Sequence, residues 1–153
     1  FLFALSVSNC ASATHARAKK KTGLQGVKKF VLVTSIGCGA SRDAPPAQVY
    51  DVLRPVLLEK DKAEAALVAA CRQTGMEYVI VRPGGLSNEQ ATGSAVLTED
   101  ASVCGAVARE DVAALVAAAA LKKSASGKTL SAVDTSQLFE KEGAAPKFEV
   151  FSL

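Results

Sequence analysis

Residues 75–86 read GMEYVIVRPGGL, and this stretch decides the fold of the chain. Val79–Val81 is a continuous apolar run, which is typical of a parallel strand covered on both faces. Pro83 predicts the end of the strand because proline cannot donate a hydrogen bond to the sheet. Gly84 and Gly85 then allow the backbone to pass close to a bulky group, at the edge where α/β sheets bind ligands.

Length and composition predict one globular domain. The chain has 153 residues, of which 49% are hydrophobic and 5% aromatic, so Ala, Val and Leu must supply much of the core. The net charge is only +3. One basic cluster joins Lys19–Lys21 to Lys28 and Lys29, and we interpret it as a solvated helix end, with an anionic membrane surface or a nucleic acid as the alternatives. Since no aromatic residues are interleaved with these lysines, we predict no nucleic-acid partner.

The cysteines predict neither a metal site nor a catalytic pair. Cys10, Cys38, Cys71 and Cys104 stand alone without a Cys-x-x-Cys motif, and the only histidine is His15. These residues do not form a zinc-ligand pattern. We therefore expect buried thiols in a reducing compartment.

Strands alternate with helices along the chain, which predicts an α/β parallel sheet. One long helix is expected to bury Leu57, Ala63, Leu67 and Ala70, to begin near Ala47 and to restart at Pro55, since proline suits a first turn. Residues 36–48 and 84–107 are predicted to be loops. The predicted strands cover residues 1–7, 30–35, 78–81, 128–133 and 148–151, and the predicted helices cover 9–21, 47–72 and 109–123.

Several segments, in chain order, carry a family resemblance. They resemble atypical short-chain dehydrogenase/reductases, the NAD(P)-binding group related to NmrA-like proteins. The resemblance covers about residues 26–134 and implies a Rossmann-like parallel sheet with flanking helices and NAD or NADP as cofactor. One segment, Thr92-Gly93 with residues 96–100, is similar to plastid-type members. The other segments are GVKKFVLVTS (26–35), EKDKAE (59–64), GMEYVIVRPGGL (75–86) and REDVA (109–113).

The resemblance also implies where functional residues lie. Ser35 falls near the active-site serine of the family, and Lys62 falls on the lysine that binds the nicotinamide ribose. Pro83, Gly84 and Gly85 are expected to line the nicotinamide end of the cofactor. The alternatives to these functional roles are structural: Ser35 would only cap the end of its strand, and Lys62 would be a solvated helix residue that contacts side chains one turn away.

The tyrosine acid of the family has no counterpart at the expected spacing. The chemistry requires it four residues before the lysine, one helical turn away. That position is Leu58 when counted from Lys62 and Val56 when counted from Lys60, and neither side chain can donate a proton. Tyr50 is a weak catalytic candidate that would have to reach the site from a loop. We therefore predict that the chain is not an efficient oxidoreductase.

A second departure concerns the phosphate-binding loop, which the family places in its first strand-turn-helix unit. Residues 36–39 (IGCG) follow a strand, but Pro45-Pro46 comes next rather than a helix. The apolar residues 1–7 are too short to span a membrane and do not resemble an intact signal peptide. We therefore interpret residues 1–153 as a single, partial Rossmann-like domain that lacks the first strands and the phosphate-binding loop and leaves a sheet edge open to pairing.

Three functions remain open. The first is a non-catalytic subunit or assembly component of a larger plastid membrane complex, for which photosynthetic complexes are one setting. Its partners would be protein subunits, and the chain would lie peripheral to the membrane without a transmembrane segment. The second is an NAD(P)H-dependent oxidoreductase with a further N-terminal half, and the third is an NADPH-sensing regulator. A cytoplasmic location is the alternative to the plastid, and the departures leave open that no cofactor is bound.

Charged residues near these motifs receive structural interpretations. Arg82 is expected to pair with a carboxylate across the sheet edge. Glu59 and Glu64 are expected to face solvent. Asp111 is expected to stabilise the start of its helix.

Overall fold

A computed structural model describes residues 26–139 and 147–153. The strand predicted at residues 1–7 and the helix predicted at 9–21 lie outside the described residues, together with Cys10 and His15. The strand predicted from residue 30 is present as β1, Lys29–Val33.

The main sheet has four strands, and three of them are parallel. β1 pairs with β2, Glu77–Pro83, which pairs with β6, Lys128–Asp134. The fourth, β4 at Ala95–Thr98, runs antiparallel to β6 and completes the order β1-β2-β6-β4. The predicted α/β class is therefore confirmed, and the predicted strands β1, β2 and β6 are parallel. β4, which the sequence did not predict as a strand, adds one antiparallel member.

The sheet is covered on both faces, as its apolar strands predict. Successive residues of a strand point to opposite faces. Ile80 packs with Leu32 and with the helix α1, Ala47–Thr74, on one face. Val79 and Val81 pack on the other face, where the helix α2, Arg109–Leu121, supplies Ala119. Gly75 ends α1 in the left-handed conformation that glycine permits, with φ of 71°.

The prediction that a helix restarts at Pro55 is wrong, because α1 is one continuous helix of 28 residues. A proline inside a helix removes one backbone hydrogen bond. The helix continues because it is anchored just beyond the proline: Leu57 is buried, and its backbone oxygen accepts from the Cys38 thiol. The predicted buried face is confirmed, since Leu57, Ala63, Leu67 and Ala70 are all at most 2% exposed.

The N-terminal half of α1 extends beyond the sheet. At about 1.5 Å per residue the helix is roughly 42 Å long, whereas a five-residue strand spans about 17 Å. Four apolar residues of this half, Val49, Val52, Leu53 and Val56, continue the face that Ala63 and the rest of the core occupy further along. They are 42–79% exposed, and we call them the apolar stripe.

The loop predicted at residues 84–107 contains three short strands, so this prediction is wrong. β3, Gly85–Ser87, pairs in parallel with β5, Ala106–Ala108, and β4 lies between them in sequence. Strands of three or four residues are too short to show an alternating pattern, which is why the sequence did not reveal them. The prediction of a strand at residues 148–151 is also wrong, because this segment has no regular secondary structure. Its Phe151 N–H donates to the Leu97 carbonyl over 2.7 Å.

Candidate cofactor-binding site

The carboxyl ends of the parallel strands meet at one edge of the sheet. The Thr34 N–H donates to the Val81 carbonyl over 2.9 Å, and the Ile36 N–H donates to the Pro83 carbonyl over 2.8 Å. Ser35, half-buried between them, is thereby fixed beside the end of β2. This is the edge at which open α/β sheets bind ligands.

A lysine of α1 reaches this edge, but it is not the one that the resemblance indicates. The Lys60 Nζ donates to the Thr34 carbonyl over 3.0 Å. Lys62 lies about 200° further around the helix and bonds with Glu59 on the exposed side. The structure therefore places the Lys60 ammonium at Thr34, the residue that precedes Ser35, and directs Lys62 away from this edge.

The structure places no tyrosine one turn before Lys60. Val56 occupies that position on the same face of α1, and Leu58 points to the opposite side. Tyr50 belongs to the helix rather than to a loop, so the prediction that it reaches the site from a loop is wrong. Its ten-residue separation from Lys60 is about 15 Å along the axis, and its ring lies under the Arg42 guanidinium instead.

The two glycines after Pro83 have different surroundings. A Cβ built on Gly84 would lie 2.1 Å from the Gly105 carbonyl oxygen, so Gly84 is required by backbone packing inside the protein. Gly85 donates its N–H to the same oxygen over 2.9 Å but is exposed, and a Cβ there would meet no atom closer than 3.9 Å. Of these two glycines, only Gly85 has an exposed backbone that a ligand could approach.

The glycine-containing loop after β1 does not form a phosphate cradle. The Gly37 N–H donates to the Ser41 hydroxyl over 3.1 Å, and the Gly39 N–H donates to the Asp61 carboxylate over 2.7 Å. These donors, which a phosphate would need, are therefore used within the protein. Residues 39–41 form a single 3₁₀ turn rather than the start of a long helix.

A buried ion pair lies directly beneath the site. Arg82 donates to both oxygens of Glu64, over 3.1 and 2.6 Å, and the Thr34 hydroxyl donates to the first of them over 2.6 Å. The expectation that Arg82 pairs with a carboxylate is confirmed, but the partner belongs to α1 rather than lying across the sheet edge. The expectation that Glu64 faces solvent is wrong. Sequence could have revealed Glu64, because it shares the helix face of Ala63 and Leu67.

A second buried carboxylate holds the segment that follows β3. Asp134, fully buried at the end of β6, accepts from the hydroxyls of Thr92 and Ser136 and from the Ser136 N–H. Burial opposes ionisation of Asp134, but these hydrogen bonds outweigh it and lower its pKa. Asp111, in the first turn of α2, accepts from the Thr92 and Gly93 N–H groups. The role predicted for Asp111 thus extends to anchoring this loop.

The three thiols among the described residues, Cys38, Cys71 and Cys104, are buried, as predicted. Burial, with the nearby carboxylates of Glu64 and Asp61, raises the pKa of Cys38 to about 12, which leaves an unreactive thiol.

Two further searches concern only residues 26–139 and 147–153. Within them, no group of three or more His, Cys, Asp or Glu side chains is arranged to hold a metal ion. Within the same residues, no helix combines the length and the apolar character that crossing a membrane requires.

The residues at the sheet edge fit the nicotinamide-ribose end of a dinucleotide. Lys60 supplies an ammonium donor, Ser35 a hydroxyl, and Gly85 an unobstructed backbone. A family profile described as NAD(P)H-binding matches residues 3–123. The chain belongs to this NAD(P)H-binding family. The resemblance to atypical short-chain dehydrogenase/reductases is thereby confirmed.

Relatives and solved structures agree with this assignment. An uncharacterized chloroplastic protein of Arabidopsis thaliana is 36% identical over 114 residues, which are 71% of this chain and 39% of that protein. Protein TIC 62, chloroplastic, of Pisum sativum is 36% identical over 96 residues, 60% of this chain and 17% of that protein. The structure of ChuY, described as an anaerobillin reductase from Escherichia coli O157:H7, matches with a TM-score of 0.66 and 26% identity. That match covers 93% of this chain and 62% of ChuY, so the chain spans less than two thirds of the length of each of these proteins.

Proposed function

We propose that this chain is the NAD(P)H-binding-type domain of a plastid protein that docks onto partner subunits, and that it holds the cofactor without efficient hydride transfer. The observation that carries the proposal is Val56. It stands one helical turn before Lys60, on the face where a proton donor is required. The chloroplastic relatives support the plastid location.

The site retains groups for binding but not for proton transfer. NAD(P)H, when bound, supplies a hydride, and reduction of a carbonyl also needs a proton donor beside the acceptor. Lys60, Ser35 and Gly85 can bind and orient the ribose and nicotinamide. Among the described residues of α1, the turn before Lys60 offers only Val56 and Leu57 toward this side, and neither carries a proton that it can donate.

The apolar stripe supports docking. Val49, Val52, Leu53 and Val56 are adjacent on one helix face and stand out from the sheet edge. Contiguous exposed apolar patches of this kind mark interaction sites more often than scattered single residues do. We propose that the stripe contacts a protein subunit of a membrane-associated complex, which would place the chain at the membrane through its partner.

A titration tests cofactor binding. The full-length polypeptide is titrated with NADPH and with NADH, and the Lys60→Met and Lys62→Met variants are compared. We expect Lys60→Met to weaken binding about tenfold, because a charge-assisted hydrogen bond contributes roughly 1.5 kcal/mol or more. Lys62→Met is the matched control on the same helix and should bind as the wild type does. Equal effects of the two variants, or no binding by the wild type, would reject this part of the proposal.

Sedimentation of gently solubilised plastid membranes tests docking. We expect the wild type to migrate with a large complex, far from the position of the 15.8 kDa chain alone. The Val52→Asn, Leu53→Asn double variant should migrate as a small species. Leu121→Asn is the control, because Leu121 is 89% exposed at the end of α2, outside the stripe. A small wild-type species that reduces a substrate with NADPH would instead support the oxidoreductase.

A further inference from the structure

We propose that Glu64 is a positioning residue for Lys60, and that it acts through Thr34. The inference rests on the proposed function, because Lys60 matters to the extent that it meets the cofactor. The geometry behind it, however, is independent of any ligand. It consists of a continuous chain of hydrogen bonds from Arg82 through Glu64 and Thr34 to Lys60.

Thr34 is held at three points. Its N–H donates to Val81 over 2.9 Å, its hydroxyl donates to Glu64 over 2.6 Å, and its carbonyl accepts from Lys60 over 3.0 Å. Thr34 lies just beyond the end of β1, which is an edge strand of the described sheet, so hydrogen bonds to β2 hold its backbone from one side only. The Glu64 bond therefore determines where the Thr34 carbonyl points, and that carbonyl in turn determines where the Lys60 ammonium lies.

Glu64 is itself held rigidly. Arg82 binds it through two nitrogens, and both side chains are about 9% exposed. The Gly39 backbone packs closely on the Arg82 guanidinium, since a Cβ on Gly39 would lie 2.6 Å from one of the guanidinium nitrogens. The carboxylate thus has one position, with Arg82 and Thr34 as donors to its oxygens.

Stability alone does not account for this arrangement. Burying two charges costs desolvation that their attraction only partly repays, and apolar pairs of similar size often stabilise a protein equally well. An apolar pair at positions 64 and 82 could hold α1 against β2. Such an apolar pair could not accept a hydrogen bond from the Thr34 hydroxyl, so the end of β1 and Lys60 would lose their fixed geometry.

The first test measures how protected the Lys60 amine is, without any cofactor. Lysines are acylated at a trace level in the native protein, and the ratio of Lys60 to Lys62 labelling is read by mass spectrometry. Lys62 is the internal control on the same helix. We expect Thr34→Val to raise the ratio about two- to tenfold, the amount that one hydrogen bond contributes.

Two further variants separate positioning from folding. Glu64→Met with Arg82→Met restores an apolar contact, and it should fold while still raising the labelling ratio. Thr98→Val is the matched control for Thr34→Val. Thr98 is also buried and also engaged through its hydroxyl, accepting from the Asp100 N–H over 3.1 Å, but it lies on β4. Its ratio should equal that of the wild type.

A second test links the network to the cofactor. The Glu64→Met, Arg82→Met double variant should weaken NADPH binding when Lys60 is present but should have no further effect in the Lys60→Met background, since Lys60 is the group through which Glu64 acts. An unchanged labelling ratio in the folded Thr34→Val protein and in the folded Glu64→Met, Arg82→Met protein would overturn the positioning role. A raised ratio in a protein that does not bind NADPH would support positioning and reject only the cofactor proposal.

Discussion

Replacing Gly84 by alanine is expected to destabilise the fold, whereas replacing Gly85 is not. The new Cβ at position 84 would lie 2.1 Å from the Gly105 carbonyl oxygen, so the two backbones must separate by about 1.3 Å to reach the 3.4 Å at which ordinary contact begins. Gly105 cannot yield freely, because a Cβ on it would lie 2.6 Å from the Gln137 oxygen behind it.

The magnitude follows from these contacts. Overpacking of this kind costs about 1–3 kcal/mol, and the Gly85 N–H bond to the Gly105 oxygen, worth about 1 kcal/mol, is strained at the same time. We therefore expect Gly84→Ala to lose about 2–4 kcal/mol of unfolding free energy. For a domain of this size the midpoint of thermal unfolding should fall by on the order of 10 °C.

Chemical and thermal denaturation, followed by circular dichroism, measure both variants. Gly85→Ala should stay within about 1 kcal/mol of the wild type, since its Cβ meets nothing closer than 3.9 Å. If Gly85 faces the cofactor, its variant should lose NADPH affinity while remaining stable. Equal stability of the two variants would refute the packing argument for Gly84.

Three other changes test other parts of the structure. Gly39→Ala should lower the unfolding free energy by about 1–3 kcal/mol, because the φ of Gly39 is +49° and the new Cβ would meet the Arg82 guanidinium. Urea unfolding measures this, and an unchanged unfolding free energy would contradict the close packing of Gly39 on Arg82. Because the folded state lowers the pKa of Asp134, its carboxylate stabilises the fold fully above about pH 4, the unfolded-state pKa, and this contribution is lost as the pH falls through the folded-state pKa. Thr92→Val removes one of the hydrogen bonds to Asp134, so the variant should lose less unfolding free energy between pH 5 and pH 2, roughly the range to be covered by urea titrations. Cys38, fully buried and with its pKa raised to about 12, should resist iodoacetamide at pH 8 until the protein unfolds, and rapid alkylation of the native protein would argue against the packing shown.

Helix phase was a signal that the sequence already contained. The predicted buried residues of α1 include Ala63 and Leu67, and a helix with that face inward must also turn Lys60 and Glu64 inward. Lys62 is then directed to solvent. The choice of Lys62 over Lys60 came from the family resemblance, and the periodicity of the same segment favoured the other lysine.

Other features could not be predicted from the sequence. Gly84 and Gly85 are identical in type and adjacent in sequence, yet one packs against Gly105, twenty-one positions away, and the other is open. The short strands β3, β4 and β5 have too few residues for a local pattern, and they exist because partner strands from elsewhere in the chain bind them. Their positions depend on pairing rather than on propensity.

The sequence by itself determined the alternation of strands and helices, the buried run Val79–Val81, the buried thiols and the absence of a tyrosine near Lys60. These features follow from periodicity and residue chemistry along the chain, which are local properties. Only the tertiary structure decided that Arg82 meets Glu64 and that Thr34 connects them to Lys60. The reason is that such contacts depend on how α1 is rotated and placed over the sheet, which many distant packing interactions fix together.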